Sequence, residues 1–224
     1  MSAQKKVENP KKSSISITPR SPKQTQYLDM IDSNFVTICV GPAGCGKTFL
    51  ACLKAMKAFA EYKVSKIVLV RPAIEAGESI GFLPGTLEEK MDPYMAPLFD
   101  AFNEYWMPET ITKMIEDKEI EIVPLAFMRG RTFRNAFIIV DEAQNITAEQ
   151  MKMLLTRFGE DCKMVVAGDK TQSDLPYKDV SGLDAALRLS KYGIDGFDHF
   201  EFSNEDVVRH RVVRDILEAW DKLS

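Results

Sequence analysis

The sequence predicts an α/β fold in which a mainly parallel sheet is covered by helices on both faces. Five short apolar runs lack the alternation of a half-exposed strand, which is typical of strands buried in a parallel sheet. Amphipathic stretches lie between most of these runs, as parallel strands require of their crossover connections. A glycine-rich loop directly follows the first run. The five predicted strands are residues 35–40, 67–70, 121–123, 137–140 and 164–167.

Length and composition favour one globular domain preceded by a tail. The 224 residues are 45% hydrophobic and 28% charged, which is ordinary for a globular chain. Residues 1–22 mix Lys, Ser and Pro, so we expect a flexible basic tail there and the folded domain at residues 23–224. No apolar run approaches the ~20 residues of a membrane span, and the N-terminal region lacks the apolar core of a secretory signal. We therefore expect a cytoplasmic protein that does not associate with membranes.

Apolar stripes at helical spacing predict helices after the first and fourth strands. The stripes are Phe49, Cys52, Leu53 and Met56 in the first helix, and Met151, Leu154, Leu155 and Phe158 in the second. Thr147 and Gln150 fit a capping box at the start of the second helix, and Gly159 fits a C-terminal stop. A last helix is predicted over residues 205–223, where apolar residues share one face.

An ordered insertion is predicted between strands, over residues 72–118. Five prolines and three glycines lie between residues 72 and 108 and interrupt any regular element. Long ordered insertions of this kind are usually functional or packed against a partner.

The first predicted strand leads into a phosphate-binding loop. Its residues are Gly41, Pro42, Ala43, Gly44, Cys45, Gly46, Lys47 and Thr48, which fit G-x-x-x-x-G-K-[ST]. The glycines allow backbone N–H groups to turn inward around phosphate oxygens, and the following helix adds its positive end. We expect Lys47 to bind the β- and γ-phosphates of ATP and Thr48 to bind Mg²⁺ through its hydroxyl group.

Two adjacent carboxylates end the fourth predicted strand. Asp141 and Glu142 follow an apolar run, so they emerge at the edge of the sheet where open α/β folds bind their ligands. We expect Asp141 to hold Mg²⁺, and Glu142 to polarise a water for attack on the γ-phosphate. Asp169 and Gln172 follow the fifth strand at the same edge, where they could sense the γ-phosphate or position this water. A simple turn capped by Asp169 is the alternative interpretation.

Several motifs together resemble the PhoH-like family of phosphate-starvation-inducible ATPases. The resemblance runs from about residue 23 to the C-terminus, and the small size resembles that of the shorter bacterial and bacteriophage members. Its motifs are the phosphate loop at 41–48, Arg-Pro-Ala-Ile-Glu-Ala-Gly-Glu at 71–78, Gly-Phe-Leu-Pro-Gly at 81–85, Asp-Pro-Tyr at 92–94, Pro-Leu-Ala-Phe-Met-Arg-Gly-Arg-Thr at 124–132, Asp-Glu-Ala-Gln-Asn at 141–145, Gly-Asp-Lys-Thr-Gln at 168–172 and Asp-Val-Val-Arg-His at 206–210.

The resemblance implies a single RecA-like P-loop NTPase domain, assembly into a ring and action on RNA. The Asp-Glu-Ala-Gln and Gly-Asp-x-x-Gln elements also resemble helicase motifs, in which Gln144 and Gln172 would couple the γ-phosphate to nucleic-acid binding. By the same likeness, Gln26 would contact adenine. The chain departs from the family pattern at Arg211, where the family usually has proline, and at Cys45. Since a helix N-terminus lowers the pKa of a thiol, we expect Cys45 to be sensitive to oxidation.

A local basic cluster is the predicted contact with a polyanion, because the net charge of the chain is −4. Arg129, Arg131 and Arg134 could contact the phosphates of single-stranded RNA, with DNA not excluded. Alternatively, one of them could reach the γ-phosphate of a neighbouring subunit. Arg209 and Arg211 are further candidates for this role, and Arg209 is assigned to nucleotide binding.

The favoured function is Mg-dependent ATP hydrolysis coupled to RNA binding or remodelling, with possible helicase activity. Because one RecA-like domain leaves the γ-phosphate open on one side, we expect a homo-hexameric ring. Two alternatives remain open: a P-loop kinase that phosphorylates a small molecule or a protein, and a slow ATP-dependent switch without motor activity.

Overall fold

A computed structural model describes residues 9–12, 14–72, 87–176, 180–208, 212–213 and 216. For Lys12 and residues 87–94 it describes the backbone alone. Most of the insertion's first half and most of the helix predicted over residues 205–223 lie outside the described residues. At the start of this predicted helix, Asn204–Asp206 form a short 3₁₀ turn.

One parallel sheet of six strands organises the described residues, in the order β3-β2-β4-β5-β1-β6. Each neighbouring pair is parallel, and β5 lies between β1 and β4. This arrangement confirms the predicted α/β class. The strands are β1 Val36–Val40, β2 Lys66–Arg71, β3 Ile120–Pro124, β4 Ala136–Val140, β5 Lys163–Gly168 and β6 Phe197–Glu201.

The five predicted strands are confirmed, but the sequence analysis missed β6. Among the described residues this edge strand pairs with β1 alone, and Phe200 is its single buried residue. Because charged residues such as Asp198 and Glu201 interrupt it, it contains no apolar run of the kind that identified the central strands.

Helices cover both faces of the sheet, as predicted. One face carries α1 to α4, and the other carries α5 and α6, each with its own cluster of buried apolar side chains. Strand residues alternate between the faces: Cys39 packs in the first cluster, and Ile38 and Val40 pack in the second. The helices are α1 Pro22–Ser33, α2 Lys47–Ala60, α3 Leu87–Phe102, α4 Pro108–Glu116, α5 Ala148–Leu155 and α6 Gly182–Leu189.

The described half of the insertion is helical, which corrects the prediction that prolines interrupt regular structure throughout it. Helix α3 contains two prolines and packs against α2. Its buried residues Leu98 and Phe102 join Trp106 in the core. Tertiary burial of this apolar stripe compensates for the backbone hydrogen bonds that proline cannot donate.

Helix α5 starts as predicted but ends earlier. Thr147 accepts from the Gln150 amide, and the Gln150 side chain accepts from the Thr147 amide, so the capping box is confirmed. The helix ends at Leu155, so Gly159 is not its C-terminal stop. Glycine is needed there for another reason: a Cβ atom at Gly159 would lie 2.3 Å from the Phe133 carbonyl oxygen.

Part of the segment predicted to be a flexible tail packs against the domain. Ile15 is buried in the core beside α1 and α2, and the Tyr105 hydroxyl donates to the Ser16 carbonyl. Lys11 forms an ion pair with Glu119 at 2.9 Å. These contacts place Lys11, Ile15 and Ser16 against the domain, whereas the sequence analysis expected a flexible tail over residues 1–22.

Across the described residues, no helix combines the length and the apolar character that crossing a membrane requires.

Candidate nucleotide-binding site

The loop between β1 and α2 forms the floor of the candidate site. Lys47 and Thr48 are the first two residues of α2, so their N–H groups lie at the positive end of a 14-residue helix. Gly46 precedes them with φ 93°, a left-handed conformation that other residues adopt at a cost. Gly41 is also constrained, since a Cβ atom there would lie 2.6 Å from the Phe202 Cβ.

Lys47 folds back over this loop. Its Nζ donates to the Gly41 carbonyl oxygen at 2.7 Å and to the Pro42 carbonyl oxygen at 2.8 Å. The ammonium group is therefore held inside the turn, where a phosphate bound by the loop amides would meet it. Binding of the β- and γ-phosphates by Lys47 stays a prediction.

Thr48 and Asp141 meet across the sheet, although 93 residues separate them in sequence. The Thr48 hydroxyl donates to Asp141 Oδ1 at 2.6 Å. Burial raises the pKa of Asp141, and the nearby Glu142 carboxylate adds to this rise, whereas the Thr48 hydrogen bond and the charge of Arg71 oppose it. A hydroxyl and a carboxylate oxygen side by side suit a hard divalent cation such as Mg²⁺, which binds oxygen ligands.

Glu142 is held by two side chains. Its backbone has φ 55°, the left-handed conformation that is uncommon for residues other than glycine. Arg71 Nη2 donates to its Oε1 at 3.0 Å, and Gln144 Nε2 donates to its Oε2 at 2.5 Å. The sequence analysis quoted Arg71 in a family motif but gave it no role.

Gln144 connects Glu142 to the end of β5. Its Oε1 accepts from the Asp169 amide at 3.0 Å, and its side chain is buried. Asp169 in turn accepts from Gln172 Nε2 at 3.0 Å and from the Thr171 hydroxyl at 2.7 Å. The structure thus brings Gln144, Asp169 and Gln172 together with the carboxylate pair, as the motif positions indicated.

These groups surround a cavity of about 310 Å³ at the carboxyl ends of β1, β4 and β5. Pro97 of α3 lies on its wall, so the insertion contributes to the site. Sequence periodicity gave no sign of this contact. The lining residues are Ala43, Gly44, Gly46, Lys47, Thr48, Phe49, Pro97, Asp141, Glu142, Gln144, Gly168, Asp169 and Gln172.

Gln24, not Gln26, is the glutamine of α1 that contacts the phosphate loop. Gln24 is buried, and its Nε2 donates to the Cys45 carbonyl oxygen at 3.0 Å. Gln26 is exposed, and no described contact joins it to the loop or to the cavity. The contact with adenine predicted for Gln26 stays a prediction, since the contact of Gln24 with the loop does not test it.

Cys45 differs from its predicted behaviour. Its side chain is fully buried, and its thiol donates to the Pro42 carbonyl oxygen at 3.1 Å. Burial raises the pKa of this thiol, although the charge of Lys47 opposes the rise. Because the reactive species is the thiolate, the predicted sensitivity to oxidation is wrong for this conformation.

The basic cluster lies away from the cavity of its own chain. Arg131 Nη2 donates to Glu121 Oε2 at 2.5 Å, and its guanidinium stacks over the Phe133 ring at 4.6 Å. Burial raises the pKa of Glu121, but hydrogen bonds from Arg131 and Lys66 outweigh it, so the pKa is lowered overall. Arg129 and Arg134 are exposed. Arg209 and Arg211 lie outside the described residues.

Together, the loop, the Thr48–Asp141 contact and the adjacent Glu142 define the nucleotide-binding site of a P-loop NTPase. The order of the parallel strands, with β5 between the loop strand and the strand that leads to Asp141, is that of the RecA-like class.

Comparisons with known proteins agree with this class. The model of the family described as PhoH-like protein matches residues 16–221, and the chain therefore belongs to this family. A PhoH-like protein of Mycobacterium tuberculosis is 52% identical over 204 residues, and Protein PhoH of Escherichia coli K12 is 42% identical over 213 residues. Each alignment covers 91% of this chain and 58% of the relative, so the chain spans somewhat more than half the length of these proteins.

A more distant likeness was found among solved structures. The crystal structure of Pif1 helicase from Candida albicans aligns over 92% of this chain and 44% of that chain. The TM-score is 0.48 at 13% sequence identity.

Proposed function

We propose that the protein hydrolyses ATP in a Mg-dependent reaction coupled to binding of single-stranded RNA. The observation that carries the proposal is the 2.6 Å contact between the Thr48 hydroxyl and the Asp141 carboxylate, with Glu142 adjacent on the same cavity. A phosphate loop alone supports nucleotide binding. A metal-ligand pair beside a second carboxylate supports hydrolysis.

The loop and five side chains of the cavity have roles in this proposal. The loop amides and Lys47 would bind the phosphates, and Thr48 and Asp141 would hold Mg²⁺, which would supply positive charge to the phosphate oxygens. Glu142 accepts a proton from the attacking water. Gln172 orients this water, since its amide lies on the cavity wall and is itself positioned by Asp169.

Release of inorganic phosphate from Mg·ATP, with and without single-stranded RNA or DNA, tests the proposal. We expect hydrolysis that depends on Mg²⁺ and that RNA stimulates. Failure of RNA to stimulate a measurable basal rate would contradict the coupling. Transfer of the γ-phosphate to a small molecule or protein, with little release to water, would instead indicate the kinase.

Arg129 and Arg134 are the proposed contacts with the RNA backbone, since both are exposed while Arg131 is paired with Glu121. Because the net charge is −4, binding is expected to be weak and to fall steeply with salt. We expect the double change Arg129→Glu and Arg134→Glu to flatten the dependence of log K on log salt, measured by fluorescence anisotropy. Glu109→Gln on α4 serves as a control for an unrelated change of surface charge. An unaltered salt slope in the double variant would assign RNA binding elsewhere.

We propose a head-to-tail ring, of six subunits, as the active assembly. A RecA-like domain covers the γ-phosphate from one side, and a cationic group from the next subunit would complete the site. Arg129 is the candidate we favour for this role among Arg129, Arg131, Arg209 and Arg211, as the alternative to its contact with RNA, because it is exposed and Arg131 is held by Glu121.

Mixing two inactive variants tests this shared site. Subunits with Lys47→Ala supply an intact arginine, and subunits with Arg129→Ala supply an intact phosphate loop, so the mixture is expected to recover part of the activity. Each variant mixed with itself is the control. A monomer in light scattering, with constant specific activity across about a hundredfold dilution, would contradict the ring.

A further inference from the structure

Arg71 contacts the proposed general base but has no role in the hydrolysis as proposed so far. Its guanidinium lies 3.0 Å from Glu142 Oε1, and its side chain is only 14% exposed. Arg71 ends β2, and Glu142 follows the neighbouring strand β4. The Asp141 amide also donates to the Val70 carbonyl oxygen at 3.0 Å. The sheet therefore fixes the distance between the two side chains.

The second oxygen of Glu142 is engaged as well. Gln144 donates to Oε2 at 2.5 Å, and Gln144 is itself fixed by the Asp169 amide. A carboxylate that accepts from two donors, one of them cationic, is oriented by those donors. Each carboxylate oxygen can accept a further hydrogen bond, so these two donors limit how Glu142 can turn toward a water on the γ-phosphate rather than occupy it fully. Of the two contacts, the one with Arg71 is an ion pair, so its loss removes the stronger restraint.

Arg71 contacts Glu142 without lining the nucleotide cavity. Glu142 and Gln144 line the nucleotide cavity, whereas Arg71 is not among its lining residues. A phosphate bound by the loop therefore does not face the guanidinium directly. A phosphate group that arrives from outside the cavity would compete with Glu142 for the forked donors of Arg71, which match phosphate as well as carboxylate.

We infer that Arg71 is a positioning residue that restrains Glu142 until a phosphodiester group of a bound single strand withdraws its guanidinium. This inference rests on the proposed ATP hydrolysis and deepens it, because it names the step at which nucleic acid controls the rate. The γ-phosphate of ATP offers the same chemistry, and the experiment distinguishes the two sources.

Steady-state ATP hydrolysis by Arg71→Gln, with and without single-stranded RNA, tests the inference. Without RNA, we expect kcat to rise about tenfold because the restraint on Glu142 is removed. A tenfold rise corresponds to a barrier lower by about 1.4 kcal/mol. The KM for ATP is expected to stay within about twofold, because Arg71 does not line the cavity. RNA is expected to stimulate the variant little or not at all. Arg71→Lys keeps the charge but loses the fork, so a rise of about threefold is expected.

Arg188→Gln is the matched control, because it removes the same charge from an exposed position on α6. It is expected to keep the wild-type rate and the wild-type stimulation by RNA. Thermal unfolding of each variant shows whether the domain is folded, and if Arg71→Gln does not fold, Arg71→Lys decides the question.

Three results would overturn the restraint. One is a fall in kcat of Arg71→Gln, which would make Arg71 a support of the active geometry. Another is a basal rate unchanged in both Arg71 variants. The third is a wild type that RNA does not stimulate although Arg71→Gln is faster, which would assign the release of Arg71 to the γ-phosphate.

If wild type and all variants release no phosphate, the proposed hydrolysis itself fails, which is a different result from active wild type with unresponsive Arg71 variants.

Discussion

Glu142→Gln is expected to bind Mg·ATP and to hydrolyse it about 10²- to 10⁴-fold more slowly than wild type, the usual cost of losing a positioned general base. The amide cannot accept a proton from water, while the loop and the Thr48–Asp141 pair remain intact. Since Glu142 lies on the cavity wall rather than in the phosphate loop, nucleotide affinity is expected to change little. Equilibrium binding of a fluorescent ATP analogue, beside phosphate release, separates the two quantities.

Glu149→Gln is the control for this substitution. Glu149 is exposed in the first turn of α5, seven positions further along the chain, so the same chemical change there is expected to leave turnover at the wild-type rate. Hydrolysis by Glu142→Gln within about threefold of wild type would show that another group accepts the proton.

Lys47→Ala is expected to abolish measurable hydrolysis and to weaken nucleotide binding about 10- to 100-fold. The estimate corresponds to the loss of one charge-assisted hydrogen bond to a phosphate, worth about 1.5–3 kcal/mol. In the structure the ammonium group is held by the Gly41 and Pro42 carbonyl oxygens, and exchanging them for phosphate requires only a small movement. Calorimetric titration with ATP measures the loss of affinity directly.

Lys57→Ala removes the same side chain from the last turn of the same helix, where Lys57 is 44% exposed. It is expected to bind and hydrolyse ATP like wild type. If Lys47→Ala retained wild-type affinity and turnover, the loop would not be the phosphate site.

Local patterns predicted the central part of the fold and the phosphate loop correctly. Buried strands such as β4 are apolar throughout because both faces are covered, so a run of consecutive apolar residues identifies them in the sequence. The loop is similarly local, since its spacing and its place between strand and helix are visible in the sequence. The sequence analysis assigned Thr48 and Asp141 separately to Mg²⁺, and their contact agrees with the rule that parallel strands end at one edge.

Features that depend on tertiary packing could not be predicted in this way. The contact between Arg71 and Glu142 joins residues 71 positions apart. It forms because β2 and β4 are neighbours in the sheet. Helix α3 forms in spite of Pro97 because its apolar residues are buried against α2. Gln24 and Gln26 differ by two positions in α1, which points them in different directions, and only packing shows which one contacts the loop.

The phosphate loop is completed by a segment that is made late in the chain. The Val208 amide donates to the Gly44 carbonyl oxygen at 3.1 Å, and the Phe202 amide donates to the Val40 carbonyl oxygen at 2.8 Å. During synthesis, therefore, residues 41–48 emerge from the ribosome long before the residues that hold their backbone in place. A nascent chain that ends before residue 202 carries every signature residue of the loop but lacks these backbone restraints. We therefore expect the loop to bind nucleotide well only after residues 202–208 have been made and packed against it.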